Sequence, residues 1–134
     1  MKKDPVRILV ADDHEIVRRG VSSLLESRDD FEVCAEATNG EDAIKQAQQL
    51  KPDLIVLDVT MPGMDGLTAA KLIKKRQPGI PILILSMHGG SEIIRAAQLA
   101  GVQAFITKSD AAKVLLEAVD AVLQGETFFS SGVR

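Results

Sequence analysis

The chain has no tryptophan, no tyrosine, one cysteine and only four phenylalanines among its 134 residues. A lone Cys34 cannot close an intrachain disulfide or build a multi-cysteine zinc site, and it suits a reducing compartment. So few aromatics exclude a stacking platform for single-stranded nucleic acid. Surplus positive charge is missing too: the formal net charge is -3, which leaves no overall basic field to grip a phosphate backbone. The longest apolar runs, such as Ile80 to Leu85, fall far short of the roughly 20 residues that cross a bilayer. Lys2 and Lys3 are followed by Asp4 and Pro5 rather than an apolar stretch, so no secretory leader is read. What is present is 46% hydrophobic and 26% charged residues, the composition and length of one globular domain. The expectation is a cytoplasmic domain with no membrane partner.

Short apolar runs alternate with helical periods. Arg7 to Ala11, Leu54 to Leu57 and Ile82 to Leu85 are continuous runs rich in β-branched residues, as in strands of a parallel sheet buried on both faces. Phe31 to Glu36 alternates large apolar with mostly polar residues, and Ala104 to Thr107 is short; these two are the natural edge strands. Between the runs, Val17, Val21, Leu24 and Leu25 form one apolar helix stripe and Leu115, Ala118, Val119 and Val122 another. Weaker stripes fall at Ala43, Ala47 and Leu50, at Leu67, Ala70 and Ile73, and at Ile93, Ala97 and Ala100. The pattern is a βα unit repeated five times, which right-handed crossovers fold into a parallel sheet with helices on both faces. After Gly125 the helical period stops and no closing element is predicted.

In an open α/β sheet, ligands bind beyond the carboxyl ends of the strands. The polar residues there are Asp12 and Asp13 after the first strand, Asp58 after the third, Ser86 after the fourth, and Thr107 and Lys108 after the fifth. Three carboxylates on one rim repel one another. A hard divalent cation relieves that repulsion, and Mg2+ suits carboxylate oxygens combined with water and a phosphate oxygen. A carboxylate can also be the nucleophile that accepts a phosphoryl group, whose negative oxygens call for cations and donors nearby. Lys108 and the Ser86 hydroxyl supply them.

Asp12-Asp13, then Asp58 ahead of Met61-Pro62-Gly63-Met64-Asp65-Gly66, then Leu85-Ser86-Met87-His88, and Phe105 three before Lys108 together resemble the receiver domain of bacterial response regulators. The resemblance runs from about Val6 to Leu123, and Val10-Ala11-Asp12-Asp13-His14 is similar to the NarL/FixJ-type branch. It implies a flavodoxin-like fold, a five-stranded sheet of order 2-1-3-4-5. It implies Asp58 as phosphoacceptor for a sensor histidine kinase, and Mg2+ held by Asp12, Asp13, Asp58 and the backbone carbonyl of Thr60. Ser86 and Lys108 become the phosphoryl-binding hydroxyl and ammonium, and Ser86 with Phe105 the switch pair. Such a domain is a signalling switch that assists its own phosphorylation, not a dedicated turnover enzyme. The branch usually carries a helix-turn-helix domain after the receiver. Residues 1–124 are therefore expected to be the receiver and 125–134 the start of a linker to an output domain, with homodimerisation on phosphorylation and DNA binding only through that missing part. The alternative is a stand-alone receiver that works by binding another protein. Ser109, where many receivers have proline, and the Gly89-Gly90 pair depart from the family pattern.

Taken singly, each feature has a blander meaning. Asp-Asp after a strand is more often a helix cap, a lone Ser86 or Lys108 is a solvated loop residue, and Phe105 is a core residue. His14 and His88 lack a second histidine or cysteine at ligand spacing. Met61, Met64 and Met87 read as loop packing, and Cys34 as a small buried hydrophobe. Only the joint placement at strand ends makes a site. Rival chemistries fail on particular residues. A haloacid-dehalogenase-like phosphatase needs an acid where Thr60 stands, a flavodoxin needs a phosphate-cradling loop where Asp12 to Glu15 stand, and no G-x-x-x-x-G-K-[ST] run exists. Thr60 and His88 flank the approach of a hydrolytic water by family resemblance, and Met87 adds bulk; slow self-dephosphorylation is the expectation.

Overall fold

The computed structural model describes residues 4–130. Strands β1 (Val6–Ala11), β2 (Phe31–Ala37), β3 (Leu54–Asp58), β4 (Ile82–Ser86), β5 (Ala104–Thr107) and β6 (Phe128–Ser130) alternate with helices α1 (Glu15–Glu26), α2 (Gly40–Leu50), α3 (Gly66–Arg76), α4 (Ser91–Leu99) and α5 (Ala111–Leu123). They form one sheet of order β2-β1-β3-β4-β5-β6, and every adjacent pair is parallel.

The continuous apolar runs are explained by the two layers of helices. Successive strand residues point to opposite faces, so Leu9, Ala11, Ile55, Leu57, Ile82 and Ile84 meet Ala43, Ala47, Ala70, Ile73 and Ala97 of α2, α3 and α4. The alternate residues Ile8, Val10, Leu54, Val56, Leu83 and Leu85 meet Val21 and Leu25 of α1 and Leu115, Ala118, Val119 and Val122 of α5. A strand sandwiched in this way has no wet side, and β3 and β4 are buried throughout. Polar side chains are admitted only where the strands end, and that is what places the chemistry.

The flavodoxin-like fold is as expected, with one strand more. β5 is not an edge: Ala104, Phe105 and Ile106 pair with Phe128, Phe129 and Ser130. The stretch after α5, read as linker with no closing element, turns back instead. Gly125 adopts φ 87, its N–H bonds to the Val122 carbonyl at 3.0 Å, and Glu126 N–H bonds to the Ala121 carbonyl at 2.9 Å. That left-handed turn ends the helix and directs the chain back to the sheet. Phe128 packs on the α1–α5 side and Phe129 on the other. The remainder of the expected linker, residues 131–134, lies outside the described residues. Among the described residues no helix is long and apolar enough to cross a membrane.

Candidate functional site

β1 delivers Asp12 and Asp13 to the carboxyl rim, β3 ends on Asp58, and Lys108 opens the short 3-10 turn after β5. Asp12 and Asp58 are each only 1% exposed. Between them lies the Lys108 ammonium, 3.0 Å from Asp12 Oδ2 and 3.2 Å from Asp58 Oδ1. Asp58 Oδ2 is buried and has no hydrogen-bond partner. Burial chiefly, and then the charge of Asp12, push the Asp58 carboxyl above the usual range; Lys108 and the Thr60 backbone only partly oppose this. Burial works against the charge of Lys108 as well, but Asp12 and Asp58 together outweigh it and hold its ammonium above the ordinary lysine range. One cation shared by two buried carboxylates leaves the pocket short of positive charge.

Oxygens of Asp12, Asp13 and Asp58 and a ring nitrogen of His14 all lie within 4.8 Å of one another. Three carboxylates with an orphaned buried oxygen fit a hard cation such as Mg2+ better than a soft one, even beside an imidazole. His14, set aside from the sequence as a metal ligand for want of a partner at ligand spacing, stands against the acid pair. Its N–H donates to Asp12 Oδ1 at 2.8 Å, and its Nδ1 stands 3.4 Å from Asp12 Oδ1 and 3.3 Å from Asp13 Oδ1. The only available signal was adjacency to the acid pair, because the contact arises from the tightness of the turn into α1.

The loop after Asp58 is built to hold it still. Gly66 N–H donates to the Val59 carbonyl at 2.7 Å, and a Cβ on Gly66 would lie 1.9 Å from the Asp58 carbonyl oxygen, so only glycine permits α3 to start against the acceptor's own backbone. Asp65 caps that helix, accepting from Thr68 N–H at 2.8 Å. Met61 is buried, as loop packing requires, whereas Met87 is 64% exposed and packs on nothing of the kind. Cys34, expected to be buried, is only partly so.

Ser86 is buried, but its hydroxyl is engaged by its own loop, donating to the His88 carbonyl at 2.7 Å and accepting from His88 N–H at 3.2 Å. His88 and Thr60 are exposed beside it. Phe105 is fully buried, in register with Phe129 of β6. It already points inward in this conformation. Ser109, the departure from the family pattern, has its hydroxyl 3.2 Å from Thr107 Oγ1, which also donates to Asp110 Oδ2 at 3.1 Å. The structure thus brings Asp12, Asp13, Asp58 and Lys108 together with the Thr60 backbone, which helps stabilise the Asp58 charge; the Ser86 hydroxyl is engaged by His88 instead, Met87 and His88 are exposed, and Phe105 lies in the core.

The description "response regulator receiver domain" matches residues 8–120. The chain belongs to the response regulator receiver family. It is 43% identical over 129 residues to the response regulator protein VraR of Staphylococcus aureus, covering 96% of this chain and 61% of that protein, so it spans about three-fifths of that relative. A crystal structure of a LuxR-family two-component response regulator from Aurantimonas superimposes with TM-score 0.90 at 36% identity, covering 93% of this chain and 89% of that one. The non-phosphorylated receiver domain of the Escherichia coli stress response regulator RcsB superimposes with TM-score 0.88 at 27% identity over 96% of this chain and all of that one. The NarL/FixJ-type resemblance seen in the motifs agrees with these neighbours.

Proposed function

We propose that Asp58 of this receiver domain takes a phosphoryl group from a phosphohistidine of a sensor kinase in the cytoplasm. The observation that carries the reading is the orphaned Asp58 Oδ2, buried beside an ammonium that it must share with Asp12. In the transfer that oxygen forms a bond to phosphorus, the phosphorus–nitrogen bond breaks, and the electron pair leaves with the imidazole. Mg2+, held by Asp12, Asp13, Asp58 and the Thr60 carbonyl, would supply the positive charge that the pocket lacks. Lys108 pairs with one phosphoryl oxygen, and Ser86 gives up its His88 partner to donate to another.

The acyl phosphate adds negative charge at a buried point, and Ser86 and Lys108 are the groups that answer it. Ser86 ends β4 beside Phe105 and Lys108 follows β5, which carries it, so Phe105 transmits the shift from within the core rather than by entering it. The receiver then takes in β6 as well as the expected residues 1–124. The relatives are longer than this chain, which supports a helix-turn-helix output domain following the receiver, with homodimerisation on phosphorylation aligning two such domains on paired half-sites. The protein is a switch and its self-catalysed steps serve that switch.

The test is to incubate the protein with a small phosphodonor, with and without Mg2+, and to measure intact mass. A Mg2+-dependent gain of one phosphoryl group that hydroxylamine or alkali removes is expected. A gain that survives hydroxylamine and alkali, or that forms equally with the metal chelated, defeats the reading.

A further inference from the structure

The acid pair does not hold itself in place. Arg18, one turn into α1, has a side chain only 14% exposed, and its guanidinium divides between two partners. Nη1 donates to the backbone carbonyl of Asp12 at 2.9 Å, and Nε donates to Glu36 Oε1 at 2.6 Å. The other oxygen of Glu36 accepts from the Ser22 hydroxyl at 3.2 Å, a buried group one turn further along α1. Glu36 lies near the end of β2, in register with Val10 of β1.

The carbonyl of Asp12 and the N–H of Asp13 belong to one planar peptide unit. Fixing that carbonyl fixes the direction in which the chain, and with it the Asp13 side chain, leaves β1. On the other side of Asp12, its N–H is bonded to the Ala37 carbonyl at 3.0 Å. Both peptide planes around Asp12 are therefore tied, one by the sheet and one by Arg18. The Asp13 side chain is 30% exposed and approaches His14, while its other near neighbours, Asp12 and Asp58, are carboxylates that repel it, so little else orients it. Arginine suits this task because its planar fork reaches a carboxylate and a carbonyl at once, which a lysine ammonium on a flexible stem does not do. The Glu36 carboxylate also offsets the guanidinium charge, so the clamp does not repel a cation at the rim.

We propose that Arg18, anchored by Glu36 and Ser22, is a positioning residue that preorganises Asp12 and Asp13 for Mg2+. The inference rests on the reading that these carboxylates hold the metal. Its sign separates it from plain electrostatics: removing a cation near an acidic site should tighten Mg2+ binding, whereas removing a positioner should weaken it. Outer-sphere partners of metal ligands are typically worth about tenfold or more in affinity.

The experiment is calorimetric titration of Mg2+ into the parent, Arg18→Ala, Arg18→Lys and Glu36→Gln proteins, each checked for a cooperative thermal transition. Weaker Mg2+ binding by about tenfold is expected for Arg18→Ala, with a same-direction loss in Arg18→Lys, which keeps the charge, and a smaller one in Glu36→Gln. In phosphodonor assays the half-saturating Mg2+ concentration should rise by the same factor as the dissociation constant, with the plateau rate changed far less. The Arg18→Ala/Glu36→Ala double variant should bind no more weakly than Arg18→Ala, because the two residues act as one unit. Should Arg18→Ala not fold, Arg18→Lys and Glu36→Gln decide the matter. Parent-like or tighter binding in both charge-retaining and charge-removing variants overturns the inference. A parent that binds no Mg2+ overturns the metal-site reading beneath it instead.

Discussion

The two ends of the sheet handle their charged groups in opposite ways. At the amino-terminal floor, a cavity of about 840 Å3 is lined by Arg7, Asp53, Lys74 and Gln103 among others, against about 470 Å3 beside the loops after β4 and β5. Yet Arg7, Asp53 and Lys74 at the floor all have partners. Lys74 Nζ donates to the carbonyls of Pro78 at 3.0 Å and Ile80 at 2.9 Å and reaches Gln103 Oε1 at 3.4 Å. Asp53 Oδ2 accepts from Arg7 N–H at 2.8 Å. At the rim, two carboxylates more deeply buried than either of these share one ammonium and leave Asp58 Oδ2 unpaired. Room does not make a reactive site here; unmet charge does. The floor has completed its hydrogen bonds within the fold, and the rim has left its own for something that arrives from outside.

The sharpest break of that comparison is at the acceptor. Asp58→Asn should abolish the hydroxylamine-labile mass gain outright, while Asp53→Asn at the floor and Asp65→Asn at the α3 cap leave it, since both of those carboxylates are engaged by backbone N–H groups. Phosphorylation of the Asp58 variant at the parent's rate would end the assignment.

The two lysines come next, because their surroundings move them in opposite directions. Burial lowers Lys74 from its ordinary value, whereas Asp12 and Asp58 raise Lys108 despite its burial. Lys74→Met should cost about 1–3 kcal/mol, the order for orphaning partly buried acceptors, with phosphorylation kept. Lys108→Ala should still bind Mg2+ but lose the coupling between phosphorylation and the distal face. In alkali the signs separate. Lys108 contributes its full stabilisation below the unfolded value of 10.5, and loses it as pH climbs through its raised folded value. For Lys74 the folded chain releases its proton first, so stability rises with pH between its lowered folded value and 10.5. Unfolding free energies of parent and variants across this range would show the two differences moving apart; parallel curves would contradict the contrast.

Reading the sequence recovered the frame of this comparison but not its electrostatics. Runs such as Leu54 to Leu57 and Ile82 to Leu85 are legible because a strand buried on both faces tolerates almost nothing else. The rim residues are legible because each polar interruption follows such a run directly. Phe128–Ser130 was not legible: three residues are too short for any period, and only pairing with β5 makes them a strand. The roles of His14 and Arg18 were also hidden, since they depend on which side chains meet across α1, β1 and β2. Phe105 was recognised by its place three before Lys108, but its depth in the core follows from the added strand beside it.

A smaller effect sharpens the rim itself. With its folded value raised by burial and by Asp12, the ionised Asp58 side chain destabilises the metal-free fold. That penalty is fully present above the folded value and is relieved as pH falls toward the unfolded 3.8. Without Mg2+, Asp58→Asn should therefore melt higher than the parent at neutral pH, and the gap should close on acidification. Adding Mg2+ should raise the melting temperature of the parent more than that of the variant, by mass action on the folded state. A parent that outlasts Asp58→Asn at neutral pH without metal would mean that the carboxylate is not under strain.

The smallest expected effect concerns how long the phosphoryl group survives. Hydrolysis needs a water in line with the new bond, so groups at the mouth of the pocket govern the rate. Thr60 offers that water only a small hydroxyl. His88 is exposed at the mouth while its backbone holds the Ser86 hydroxyl through both N–H and carbonyl. When Ser86 turns to the phosphoryl group, that loop must shift, carrying the Met87 and His88 side chains with it. Two side chains that move with the loop obstruct more than one uncharged hydroxyl assists, and self-dephosphorylation should be slow. Met87→Ala and His88→Ala should each accelerate decay by about threefold, a barrier change under about 1 kcal/mol. The measurement is phosphoryl decay in Mg2+, followed by the loss of the added phosphoryl mass. Slower decay in His88→Ala would show that the imidazole positions the water rather than blocking it.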